Sequence, residues 1–126
     1  MAIAQHAQRE SPQSGPHAIQ DRIAIASYNI HSGVGLDRRC SSARIAQVLK
    51  ELECDLYALQ EVDNQPGDHE ESMQLEYFER ALNMTAVAGL RIVRKTGEYG
   101  NAILTRLPVL SVRRHDLLYG DRKSVV

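Results

Sequence analysis

Apolar positions along this chain recur with two different periods. Ile23 to Ile30 (IAIASYNI) is a short apolar run between polar segments, which predicts a strand covered on both faces. His31-Ser32-Gly33-Val34-Gly35 follows, a stretch whose glycines allow a turn or a close backbone approach. Ser41 or Ser42 then suits the cap of a helix in which Ile45, Val48, Leu49 and Leu52 share one face. Asp55 breaks that period, and Leu56 to Val62 predicts a second buried strand. Strand, amphipathic helix and strand in this order predict two parallel neighbours whose C-terminal ends meet at one sheet edge. Ligands bind at that edge in open α/β sheets, and Asn29 and Glu61 both fall near it.

Beyond the polar stretch Asp63 to Glu71, Leu75, Phe78 and Leu82 predict a second helix over 72–82. Three extended runs follow, at Thr85–Arg94, Asn101–Arg106 and Val109–Leu117, separated by turn signals at Thr96-Gly97 and Pro108. They predict antiparallel strands. Residues 1–21 are polar, without the apolar core of a secretory signal, and are expected to form a disordered leader before a domain at 22–126.

With 126 residues, 43% hydrophobic and 25% charged, the chain holds enough apolar material for one soluble α/β (α+β) domain. A net charge of -1 gives no general attraction to nucleic acid or to an anionic membrane, so a phosphate-bearing ligand needs a local basic patch or a bound cation. No stretch is long and apolar enough to span a bilayer. Cys40 and Cys54 lack metal-motif spacing and read as reduced thiols of a cytoplasmic protein, Cys54 packing as a small hydrophobe.

Glu61, a carboxylate at the end of an apolar strand, suits a hard cation such as Mg²⁺, which takes one or two protein carboxylates and completes its shell with water and phosphate. The alternative is a solvated glutamate. The Asn29 amide could hold a carboxylate, a metal-bound water or a phosphate oxygen, and equally could be a turn residue. His31 could donate to a phosphate. Arg91, Arg94, Lys95, Arg106, Arg113 and Arg114 are candidates for phosphate contacts, or else line a solvated strand face.

Ala26-Ser27-Tyr28-Asn29-Ile30-His31, Arg44-Ile45-Ala46, Asp55-Leu56-Tyr57-Ala58-Leu59-Gln60-Glu61-Val62 and Tyr99-Gly100-Asn101-Ala102-Ile103-Leu104-Thr105-Arg106-Leu107-Pro108 occur in one order. Together they resemble the opening motifs of the endonuclease/exonuclease/phosphatase (deoxyribonuclease I-like) superfamily. The resemblance runs from Arg22 to about Leu118 and implies part of a two-sheet β-sandwich with outer helices. It also implies a phosphoester hydrolase that uses Mg²⁺, with Mn²⁺ as a substitute. It carries the metal-ligand role to Glu61 and an active-site role to Asn29, either as a ligand or through Glu61. Asn101 becomes a supporting residue. The implied substrate is a phosphate ester, whether in nucleic acid, a phospholipid head group or an inositol phosphate.

The family's second half carries an Asp-x-Asn motif and a terminal Asp-His pair, and neither occurs here. His115-Asp116 has the reverse order. The resemblance therefore covers an N-terminal half, truncated after about half of the fold, and the isolated chain is expected to be nearly inactive. The alternative is a non-catalytic module that binds metal or phosphate, or forms a homodimer through an open sheet edge.

Overall fold

The computed structural model describes residues 2–4, 22–67 and 69–115. They form one mixed five-stranded sheet with two helices. The strands are β1 (Ala2–Ala4), β2 (Ile25–Asn29), β3 (Leu56–Asn64), β4 (Thr85–Arg94) and β5 (Gly97–Thr105), in spatial order β1-β2-β3-β5-β4. The helices are α1 (Ser42–Leu52) and α2 (Gln74–Leu82). As expected, β2 and β3 are parallel neighbours joined through a helix, while β5 runs antiparallel to both β3 and β4. Ala2–Ala4, inside the segment read as a leader, pairs antiparallel with β2, and the rest of that segment lies outside the described residues.

The core follows from strand alternation. Ala26 of β2, Tyr57 and Leu59 of β3, and Ala102 and Leu104 of β5 are buried in one cluster with Ala46 and Leu49 of α1 and Leu75 and Phe78 of α2. Both helices therefore cover the same sheet face. The other face leaves Ile25 53% and Ile103 41% exposed. Among the described residues no helix is long and apolar enough to cross a membrane.

Local chemistry sets the helix ends. Ser41 caps α1 by accepting from the Arg44 amide at 3.3 Å, and the Glu71 carboxylate accepts from the Ala43 amide at 3.0 Å. Those two acceptors satisfy donors that an α-helix N-terminus leaves open. The residue before α2, Met73, has no capping side chain, and the Asn64 side chain of β3 accepts from the Leu75 amide instead, at 2.8 Å. The buried Tyr57 hydroxyl donates to the Leu49 carbonyl and accepts from the Cys54 amide, tying the end of α1 to the start of β3.

The run expected as a strand at Val109–Leu117 is not one: residues 109–115 are exposed and belong to no ladder, and 116 onward lie outside the described residues. The reason is topological. β5 is hydrogen-bonded to β3 on one side and β4 on the other, so the run cannot pair with the strand it follows, and Arg114 meets β4 through its side chain, on the Ala88 carbonyl, rather than through a ladder.

The β4–β5 hairpin depends on Gly97, whose φ is +144°, a conformation essentially confined to glycine. An added Cβ would collide with the Asn64 carbonyl oxygen and come within 2.9 Å of Gln65 Cα. Gly97→Ala is expected to lower the unfolding free energy by about 3 kcal/mol or more in urea titration, the strain of one forbidden backbone conformation plus a clash with β3.

Candidate functional site

The site begins with a conflict along β3. Under strict alternation Tyr57 and Leu59 would be followed on the core face by Glu61 and Asp63, placing two carboxylates among apolar side chains. The structure avoids this with a bulge. Leu59 pairs with Ala102 and Val62 with Gly100, so Gln60 and Glu61 together face Asn101 alone. Glu61 takes up the extra residue in the left-handed region, at φ 59°. The parity shifts by one, and Val62 and Asn64 become buried in place of Glu61 and Asp63. A left-handed residue costs about 1–2 kcal/mol, less than the several kcal/mol needed to bury one carboxylate.

On the neighbouring strand, register sets Asn29 opposite Gln60, and the ladder continues through the Ile30 amide to the Gln60 carbonyl at 3.0 Å. The chain then turns sharply. His31, Ser32 and Gly33 all have positive φ, at 49°, 53° and 76°. Asn29 and Glu61 consequently meet, with Asn29 Nδ2 donating to Glu61 Oε1 at 2.9 Å. Asn29 Oδ1 accepts from the His31 backbone N–H, also at 2.9 Å. A donor on one side and a carboxylate on the other permit only this orientation of the amide. The amide thus ties Glu61 to the start of the turn.

Two further groups approach the carboxylate. His31 Nδ1 lies 3.4 Å from Glu61 Oε2, and the Tyr99 hydroxyl of β5 donates to Glu61. The Asn29 amide foremost, with His31 and Tyr99, holds the Glu61 carboxyl below the usual glutamate range, outweighing the opposing effect of partial burial. Burial and the Glu61 charge push the Tyr99 phenol up, so it remains a proton donor at neutral pH. The Arg94 guanidinium stacks over the Tyr99 ring, 4.3 Å from its centroid. The Glu61 side chain remains 35% exposed, leaving it accessible to solvent and to a ligand.

The structure thus brings together Asn29 and Glu61, and adds His31 at the carboxylate. Asn101 sits on β5 directly across from the Gln60–Glu61 bulge, but among the described residues its side chain makes no hydrogen bond to the group. Of the basic candidates, Arg94 reaches the site through Tyr99. Arg106 pairs with Asp55 at the far end of β3, Arg114 donates to the Ala88 carbonyl, and the Arg91 side chain lies outside the described residues. Tyr99 was missed in the sequence because its contact with Glu61 depends on the β3–β5 register; its place two residues before Asn101 was the available signal.

Among the described residues no three His, Cys, Asp or Glu side chains converge as a metal cage. A single ionised, partly exposed carboxylate still fits Mg²⁺, which needs only one or two from the protein. A broader cleft of about 660 Å³ lies at the opposite end of β3, lined by Lys50, Tyr57, Met84 and Arg106 among others, and includes none of Asn29, Glu61 and Asn101.

Comparison with known proteins bears on this arrangement. The model of the Endonuclease/Exonuclease/phosphatase family matches residues 26–126. Among solved structures, an endonuclease/exonuclease/phosphatase from Beutenbergia cavernae DSM 12333 superposes with a TM-score of 0.54 at 20% sequence identity. The match covers 71% of this chain and 27% of that one, which shows a shared fold over part of the larger structure. No curated protein matches the chain.

Two measurements check the site's energetics. Because the folded-state pKa of Glu61 is depressed, its stabilising contribution is complete above the unfolded-state value, about 4.3, and is lost as pH falls through the lower folded-state value. Stability measured against pH should therefore fall below that value in the wild type, and less steeply in Glu61→Gln. The left-handed backbone gives a second expectation: Glu61→Gly should be more stable than Glu61→Ala by about 1 kcal/mol in urea titration, reversing the usual order for a strand.

Proposed function

This chain belongs to the endonuclease/exonuclease/phosphatase family, and we propose that it carries the cation-binding part of a phosphoester-hydrolysing site centred on Glu61. The observation that carries this reading is the 2.9 Å hydrogen bond from Asn29 Nδ2 to Glu61 Oε1, made at the edge where β2 ends and β3, at its bulge, leaves the parallel pairing. That sheet edge is where open α/β folds bind ligands, and the pair leaves a fixed, ionised carboxylate facing solvent.

Glu61 would hold Mg²⁺, or Mn²⁺ in its place. When bound, the cation supplies Lewis-acid neutralisation of charge on a phosphoryl oxygen. The chain's own residues prepare that role. Asn29 fixes the carboxylate's rotation and, foremost among Asn29, His31 and Tyr99, keeps it ionised, and the bulge holds it out of the core. Arg94, stacked on Tyr99, adds positive charge beside the site. The substrate is a phosphate ester of the kind shared by nucleic acids, phospholipid head groups and inositol phosphates.

Hydrolysis also needs a base for the attacking water and a group to assist the leaving oxygen, each worth on the order of a hundredfold or more. The sequence offers no Asp-x-Asn beyond Asn101 and no Ser-Asp-His for those roles. The 126-residue chain alone is therefore expected to bind cation and turn over little substrate.

Titration with Mn²⁺, followed by paramagnetic broadening of backbone NMR signals, tests the cation site directly. Signals of Asn29, Glu61 and Tyr99 should broaden first, and Glu61→Gln should weaken binding by about 10-fold or more. Equal binding by both proteins, or rapid phosphodiester turnover insensitive to Glu61→Gln, would remove Glu61 from the role.

A further inference from the structure

The Asn29–Glu61 pair joins two segments that each leave regular geometry just there, the left-handed turn after β2 and the bulge in β3. Backbone pairing alone does not set the position of the turn relative to the continuing strand. One buried side chain connects them. Gln74, the first residue of α2, is 2% exposed. Its Nε2 donates to the Ser32 carbonyl at 2.8 Å, one residue after His31, and its Oε1 accepts from the Asp63 amide at 2.8 Å, two residues after Glu61. We propose that Gln74 is a positioning residue, whose amide clamps the His31 turn to β3 and so sets the contact between Asn29 and Glu61.

Four observations favour this over a merely structural glutamine. Both polar ends of the amide are used, each on a different segment that carries a site residue. The turn packs closely on the clamp: at Gly33, whose φ of +76° favours glycine, an added Cβ would stand 2.8 Å from Gln74 Nε2. The Ser32 carbonyl also accepts from Cys40 Sγ at 3.3 Å, so the turn is held from two sides. A further polar tie, from Asn64 Nδ2 to Glu76 at 2.9 Å, fixes the start of α2 to the same strand and gives the clamp a rigid base.

The proposal rests on the reading of Asn29 and Glu61 as the working pair, and its test separates the two ideas. In the metal-free 126-residue chain, the Asn29 side-chain NH₂ signals report the bond to Glu61 without any ligand. Gln74→Met removes both arms of the clamp, while Gln74→Glu keeps the acceptor for Asp63 and loses the donor to Ser32. Ile45→Ala, on α1 away from the clamp, serves as a destabilised control. Both Gln74 variants should move the Asn29 signals toward those of a free amide, and Ile45→Ala should not; if Gln74→Met fails to fold, Gln74→Glu gives the reading. Unchanged Asn29 signals in the folded Gln74 variants, or an equal change in Ile45→Ala, would overturn the proposal. Mn²⁺ affinity should fall by about 10-fold in the Gln74 variants. Displaced Asn29 signals together with a wild type that binds no Mn²⁺ would uphold the clamp and defeat the cation reading instead.

Discussion

The placement of one extra residue in β3 governs this site. A strand buried on one face must present apolar side chains at every second position, and the order Tyr57, Leu59, Val62 breaks that rule by one residue. The chain can bury Glu61 or skip it. Skipping is less costly by several kcal/mol, since one left-handed residue costs about 1–2 kcal/mol and an unpaired buried carboxylate far more. The core's demand for continuity thus puts the carboxylate at the sheet edge beside Asn29. The geometry of the Asn29–Glu61 pair follows from packing, before any ligand is considered.

Much of the fold was legible because its signals are local. The helical face at Ile45, Val48, Leu49 and Leu52 predicted α1, with Ser41 as the cap that the structure uses. The apolar runs predicted β2 and β3, and the helix between them predicted their parallel pairing. β4 was read at its observed limits, Thr85–Arg94. The extended run expected from Val109 forms no ladder, since β5, the strand it follows, is already paired on both sides. Alternation records a preference for a sheet; a vacancy in the sheet is a property of the whole fold.

The site was legible only along the chain. Asn29 and Glu61 were found because a strand-helix-strand unit makes β2 and β3 parallel neighbours, although Glu61 stands at a bulge within β3 and not at its tip. Tyr99 and Gln74 reach the same place from a third strand and a second helix, across separations of 38 residues in sequence for Tyr99 and Glu61, and of 42 for Gln74 and Ser32. No local pattern encodes such contacts. Asn101 illustrates the converse: its place in a Gly-Asn-Ala block singled it out in the sequence, yet among the described residues its side chain makes no hydrogen bond to the Asn29–Glu61 group.

A lone carboxylate makes an adequate cation site only if two losses are avoided. A freely rotating Glu side chain gives up conformational entropy on binding, up to about 2 kcal/mol, and a protonated one gives up its charge. Asn29, His31 and Tyr99 act on both, since each contact that restricts rotation also stabilises the ionised form. Mg²⁺ keeps most of its water and asks the protein mainly for one well-aimed anion. The arrangement around Glu61 therefore puts its polar contacts into the orientation and charge of a single group, which is what the proposed cation site requires.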